Sequence, residues 1–134
     1  MPPEKKRRIL IIDDEETLCY ILQTRLESFG YEVRTATNGH LAWREISNQP
    51  PDLVLLDIRM PDEDGFTFLR KLRSFRSPDD SNRETQIRQL PVIVFTGAGE
   101  GMRSLFEQER ISAYLTKPID STVVKKLIEE ILNP

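Results

Sequence analysis

Cysteine and histidine are almost missing: the chain holds one of each, Cys19 and His40, in 134 residues. A lone thiol cannot close an internal disulfide, and one thiol with one imidazole is too few for a structural zinc site. Nothing in that usage points to an oxidising compartment. No apolar run approaches the ~20 residues needed to cross a bilayer. The first apolar stretch lacks a small-residue cleavage site, so it does not read as a secretory signal. Surplus positive charge is missing as well. The net charge is −3, which argues against a domain built to hold nucleic-acid phosphate. The run Lys5-Lys6-Arg7-Arg8 is short and reads as a solvated lead-in. No helix-turn-helix or basic recognition helix is written here, so no direct nucleic-acid binding by this domain is expected. No membrane contact is expected either, and the expected location is the cytoplasm.

What is present suits one globular domain. Hydrophobic residues make 38% and charged residues 31% of the chain. The expected organisation is a single domain over residues 1–134, with a flexible lead-in over 1–7 and an extended, mobile surface loop over 76–89.

Short apolar runs alternate with helical patterns. Ile9-Leu10-Ile11-Ile12, Leu53-Val54-Leu55-Leu56 and Pro91-Val92-Ile93-Val94-Phe95 are continuously apolar, as in strands covered on both faces. Tyr31, Val33 and Thr35 alternate with charged residues, which suits a half-exposed edge strand. Ala113-Tyr114-Leu115 reads as a short last strand. Between the strands, Leu18, Ile21, Leu22, Leu26 and Phe29 follow helical spacing up to Gly30, a stop signal. Asn38 can cap a second helix bearing Leu41, Ala42 and Ile46. Phe66, Leu69 and Leu72 mark a third, and Met102, Leu105 and Phe106 a weak fourth. Asp120 or Ser121 caps a fifth with Val124, Leu127, Ile128 and Ile131 inward. Five strand–helix alternations imply right-handed crossovers and a parallel sheet with helices on both faces.

In such a sheet the carboxyl ends of the strands share one edge, where ligands bind. That edge receives Asp13 and Asp14, Asp57, Thr96 and Lys117, each just past an apolar run. Clustered carboxylates raise one another's pKa unless a cation neutralises them. An all-oxygen, partly solvated ligand set suits Mg²⁺. Lys117 can pair with Asp57 or with a phosphoryl oxygen. Asp57 is then a plausible nucleophile for a phosphoryl group, and Thr96 a hydrogen-bond donor to it.

These residues, in this order, resemble the receiver domains of bacterial two-component response regulators. The matching pieces are Asp13-Asp14, Asp57 within Leu55-Leu56-Asp57-Ile58-Arg59-Met60-Pro61, Asp64-Gly65, Thr96, and Tyr114-Leu115-Thr116-Lys117-Pro118. The resemblance runs from about Arg8 to Leu132. It implies a flavodoxin-like, doubly wound (βα)5 fold with strand order 2-1-3-4-5. It implies that Asp57 is the phosphoacceptor, served by a phosphohistidine on a sensor kinase or phosphotransfer protein. Asp14 resembles the direct Mg²⁺ ligand, Asp13 one acting mostly through water, and the Arg59 backbone carbonyl the third protein ligand. Lys117 matches the phosphoryl-bridging lysine, Thr96 the switch hydroxyl and Tyr114 the switch aromatic. Lys117-Pro118 matches a cis bond. The implied switch draws Thr96 inward and turns Tyr114 from an exposed to a buried position. That changes the affinity of the face around the last strand for a downstream effector. The protein is expected to be a monomer or a phosphorylation-dependent dimer. It would be no metabolic enzyme, catalysing only its own phosphoryl transfer and hydrolysis.

The chain departs from the pattern in places. The segment before Tyr114, Glu109-Arg110-Ile111-Ser112-Ala113, lacks the usual glycine. Ile119 stands where many members have phenylalanine. Gly97-Ala98-Gly99-Glu100-Gly101 fails the spacing of a dinucleotide-binding loop. Arg59 is a long cation within reach of the phosphoryl group or Glu15, suited to tuning the lifetime of the phosphorylated state. Ala98 can do neither. Two alternatives compete. An aspartyl-nucleophile phosphatase of the haloacid dehalogenase type needs an acid two residues after its nucleophile, where Arg59 stands. An unphosphorylated interaction module would not need the full acidic set. Cys19 reads as a semi-buried thiol, and Trp43 as packing on the sheet or lying at the surface.

Overall fold

The computed structural model of the chain describes residues 5–97 and 99–133; residues 1–4 of the lead-in, Ala98 and Pro134 lie outside the described residues. Five parallel strands form one sheet: β1 (Arg8–Ile12), β2 (Glu32–Ala36), β3 (Leu53–Asp57), β4 (Val92–Thr96) and β5 (Ala113–Thr116). Their order is β2-β1-β3-β4-β5, as the resemblance implies. Six helices accompany them: α1 (Glu16–Ser28), α2 (Gly39–Asn48), α3 (Gly65–Arg73), α4 (Ser81–Arg88), α5 (Arg103–Glu107) and α6 (Ser121–Leu132). A 3-10 turn over Gly99–Met102 leads into α5.

The continuous apolarity of the inner strands follows from the pleat. Successive side chains point to opposite faces, and both faces are covered. Leu10, Ile12, Val54, Leu56, Val92 and Val94 pack on one side with residues of α2, α3, α4 and α5. Ile9, Ile11, Leu53, Leu55, Ile93 and Phe95 pack on the other with α1 and α6. At the edge, β2 buries Val33 and Ala36 and exposes Arg34.

Local signals set the boundaries. Asn38 Oδ1 accepts from the Leu41 N–H at 2.8 Å and starts α2. Asp64 does the same for α3 through the Thr67 N–H at 2.8 Å. Asp120, not Ser121, caps α6. Gly30, at φ 101°, ends α1 in the left-handed conformation that glycine adopts without strain.

Three expectations are corrected. Residues 81–88 are helical, not loop. Asp80 caps this helix through the Arg83 N–H at 2.9 Å, and Ile87 is fully buried beneath it. One buried apolar residue in two turns leaves no visible periodicity, so the helix is held by its cap and by tertiary contacts. In α1 Cys19 is buried together with Leu22 and Leu26, whereas Ile21 is half exposed. Leu105 of α5 is also exposed, and Phe106 alone carries that helix into the core. Without a glycine, the turn after α5 closes at Arg110, which takes φ 62° itself.

The guanidinium of Arg73 stabilises that ending. It is buried and donates to the backbone carbonyls of Arg88, Leu90, Glu109 and Arg110 at 2.8–3.1 Å. A fixed cation thus satisfies carbonyls at and just beyond the ends of α4 and α5, where helix dipoles concentrate negative charge. Trp43 lies between Phe68 and Phe75, with ring centroids 5.0 and 6.2 Å away.

Two substitutions test this framework by urea denaturation. Arg73→Met removes the donor from one buried and three partly buried carbonyls and should cost about 2–4 kcal/mol. A Cβ on Gly65 would lie 2.5 Å from the Asp57 backbone oxygen, so Gly65→Ala should cost about 1–3 kcal/mol. Gly101→Ala, which meets open space, should stay within about 0.5 kcal/mol of the parent. Equal effects of the two glycine substitutions would refute the close-approach argument.

Candidate functional site

The carboxyl ends of the strands bring the residues together. Asp13 follows β1 directly, and its backbone N–H donates to the Ala36 carbonyl of β2 at 3.0 Å. Asp57 and Thr96 are the last residues of β3 and β4 and are buried, at 3% and 0% exposure. Lys117 follows β5, and its backbone N–H donates to the Thr96 carbonyl at 2.7 Å. The Lys117–Pro118 bond is cis.

Carboxylate oxygens of Asp13, Asp14 and Asp57 all lie within 4.8 Å of one another. Asp13 and Asp57 are buried and Asp14 is exposed, so the cluster opens to solvent on one side. Lys117 Nζ donates to Asp13 Oδ2 and to Glu15 Oε1, both at 2.9 Å, and stands 3.8 Å from Asp57 Oδ1. This is the convergence expected from strand-end placement. Three oxygen donors with one open side fit a hard cation that keeps part of its water shell. Softer metals would call for thiolate or imidazole ligands, and the one thiol, Cys19, is occupied elsewhere: its Sγ donates to the Asp13 carbonyl at 3.2 Å.

The site is electrostatically strained. Burial raises the Asp57 pKa to about 6, and the neighbouring Asp13 charge adds to the rise. Lys117 and the backbone N–H groups of Arg59 and Ile58 work against it without cancelling it. Asp13 is raised by burial too, opposed by the Glu15 N–H and by Lys117. Burial alone would lower the Lys117 pKa, but its hydrogen bonds to Asp13 and Glu15 hold it above the ordinary value. Burial pushes the Cys19 thiol up to about 11, which makes it unreactive.

The loop after Asp57 is built from its own acids. Asp62 accepts from the Gly39 and His40 N–H groups at 2.9 and 3.0 Å, capping α2 from another loop. Those bonds hold its pKa low. Glu63 pairs with Lys71 at 2.6 Å, and Asp64 caps α3. Gly65 N–H donates to the Ile58 carbonyl at 2.6 Å, closing the segment that carries the Arg59 carbonyl. The Arg59 side chain itself is exposed. Glu15 is held by Lys117 rather than by Arg59.

Tyr114 is buried, at 5% exposure, and its hydroxyl donates to the Gly99 carbonyl at 2.6 Å. The ring packs near Phe106, and the Arg103 guanidinium lies 5.9 Å from its centroid. Of the two positions implied for this aromatic, the structure holds the inward one. Sequence reading set Glu15 within reach of Arg59 rather than Lys117, and it missed the partners of Asp62 and Arg73. Glu15 had a signal, since it extends the acidic pair, but its partner is 102 residues away. Asp62 and Arg73 had none, because both act on backbone groups of other elements.

Comparison with known proteins agrees with this geometry. Residues 9–129 match the family model described as response regulator receiver domain. Response regulator PleD of Caulobacter vibrioides is 38% identical over 118 residues, covering 87% of this chain and 24% of PleD. The alkaline phosphatase synthesis transcriptional regulatory protein PhoP of Bacillus subtilis is 31% identical over 128 residues, covering 95% of this chain and 49% of PhoP. The chain thus spans about a quarter to a half of these relatives. Among solved structures, a CheY-like receiver domain protein from Methanospirillum hungatei superposes with a TM-score of 0.81 at 28% identity, covering 96% of this chain and 95% of that one. A two-component response regulator from Clostridium difficile gives 0.81 at 26%, covering 95% and 96%.

The raised Asp57 pKa has a consequence for stability. A carboxyl with a folded value near 6 and an unfolded value near 3.8 binds its proton more tightly in the native state. Its contribution is full below the unfolded value and is lost as pH rises through the folded one. In chelator, Asp57→Asn should raise stability at pH 7 by roughly 1–3 kcal/mol and flatten the decline between about pH 4 and 6. Urea denaturation across that range checks it. A variant less stable than the parent at neutral pH would refute the strain.

Proposed function

This chain belongs to the response-regulator receiver domains, which are signalling modules, and from that premise we propose that it is a phosphorylation-activated switch with Asp57 as phosphoacceptor. The observation that carries the reading is the setting of Asp57. It is a buried carboxylate beside two others, with an ammonium 3.8 Å away. Negative charge arriving there needs cations already in place, and the fold supplies one and the ligands for another.

The donor is a phosphohistidine on a sensor histidine kinase or a phosphotransfer protein. An Asp57 carboxylate oxygen attacks phosphorus in line. The new P–O bond forms as the P–N bond to the donor imidazole breaks, and the electron pair leaves with the imidazole nitrogen. Asp13, Asp14, Asp57 and the Arg59 carbonyl would hold Mg²⁺, which when bound supplies charge neutralisation. Lys117 pairs with a phosphoryl oxygen, and its reach from Asp57 requires only a small movement of a four-carbon arm. Thr96, adjoining the site at the end of β4, turns its hydroxyl toward the new anion.

The output runs through the face of α5, β5 and α6. Tyr114 lies between Gly99 and Phe106 there, so its inward position depends on the β4–α5 segment. Phosphorylation acts by raising the population of one arrangement of that segment. The face then binds a downstream effector or a second copy of the chain. A cytoplasmic setting suits the buried free thiol of Cys19. The exposed cation at residue 59 offers no general acid, which counts against a phosphatase acting on small molecules.

Incubation with acetyl phosphate and Mg²⁺ should add a single phosphoryl group, read by intact mass. Asp57→Asn and chelation of the metal should each abolish it. Labelling of Asp57→Asn at the parent rate would overturn the assignment. Arg59→Ala should change the rate of phosphoryl loss severalfold, and an unchanged rate would show that this side chain plays no part.

A further inference from the structure

Glu15 occupies the N-cap of α1, yet its carboxylate makes no cap hydrogen bond. Aspartate, asparagine, serine and threonine are favoured there because their short side chains reach back to the first turn. Glu15 reaches instead across to β5 and takes the Lys117 ammonium at 2.9 Å. Its backbone N–H donates at 2.9 Å to Asp13 Oδ1, so the residue is fixed beside the carboxylate that shares the same ammonium.

The distances rank the claims on Lys117. Two carboxylates hold it at 2.9 Å, and Asp57 stands at 3.8 Å. To pair with a group on Asp57, the ammonium must loosen one of the two shorter bonds. The Asp13 carboxylate is fully buried, and leaving it unpaired is costly. The Glu15 side chain is 60% exposed and can be given to water at little cost.

We infer that Glu15 is a tether that holds Lys117 away from Asp57 and must release it when a phosphoryl group arrives. It is a positioning residue, acting only through Lys117, and it sets how readily the phosphorylated state is populated. The inference rests on the reading of Asp57 as phosphoacceptor, although the tether itself is a property of the protein without a phosphoryl group.

The test compares Glu15→Gln, which removes the charge, with Glu15→Asp, which keeps it on an arm one methylene shorter. Aspartate at this N-cap is also drawn to the first turn of α1. The Lys117 ammonium is followed by ¹H–¹⁵N NMR in metal-free protein. Beryllofluoride binding in Mg²⁺ is followed by titration. Both variants should shift the ammonium resonance and speed its exchange with water, and both should lower the half-saturating beryllofluoride concentration roughly two- to fivefold. An unmoved resonance in both variants overturns the tether. A Glu15→Asp protein that matches the parent while Glu15→Gln binds more tightly also overturns it, since only the general charge would then matter. Failure of the parent to accept beryllofluoride or phosphoryl overturns the reading of Asp57 instead. The resonance still decides the tether in that case.

Discussion

Two buried carboxylates, Asp13 and Asp57, share one ammonium, and the rest of the site is arranged around that shortage of positive charge. Burial raises the Asp57 pKa and the Asp13 charge adds to it, and Lys117, which lies closer to Asp13 than to Asp57, does not cancel the rise. Such a cluster is tolerable only because the sheet beneath it is densely apolar and the loops above it are tied down. The strain is stored at one place and offset by packing everywhere else. It also makes the site responsive, since any cation that enters, and any anion that redistributes Lys117, changes the local balance by a large fraction.

The loops around the cluster are held by short-range polar devices rather than by core packing. Asp62 caps α2 from the loop after Asp57, and Asp64 caps α3 in the same loop. Gly65 lets the backbone close on Ile58. One loop is therefore fastened to two helices and to its own strand. On the far side, Arg73 binds carbonyls at and just beyond the ends of α4 and α5, so α3 and the approach to β5 are fixed relative to each other. Among the described residues, the segment between β4 and α5 shows fewer such ties. Its visible anchors are the Tyr114 hydroxyl on Gly99 and the ion pair of Arg103 with Glu100. A segment held by a few exchangeable bonds is where a two-state rearrangement costs least.

Much of this was legible beforehand. Each inner strand announced itself as an aliphatic run, and a polar residue just after each run marked the functional edge. Asp13, Asp14, Asp57, Thr96 and Lys117 were all found that way, and the structure brings them to one edge. The caps at Asn38 and Asp64, and the stop at Gly30, follow from local chemistry. Helix α4 was invisible because a surface helix with one buried residue has no apolar period. The inward turn of Cys19, in place of Ile21, depends on which face of α1 the sheet covers.

The sequence by itself determined the alternation of strand and helix, the two-sided burial of the inner strands and the identity of the acidic and basic groups at their ends. These follow from nearest-neighbour pattern, since pleat and helical period are local. Only the tertiary structure decided which partner each charge takes: Lys117 with Glu15 and Asp13 before Asp57, Asp62 with α2, and Arg73 with carbonyls at the ends of α4 and α5. A charge can pair with any opposite group within reach, and reach is set by where distant segments come to rest.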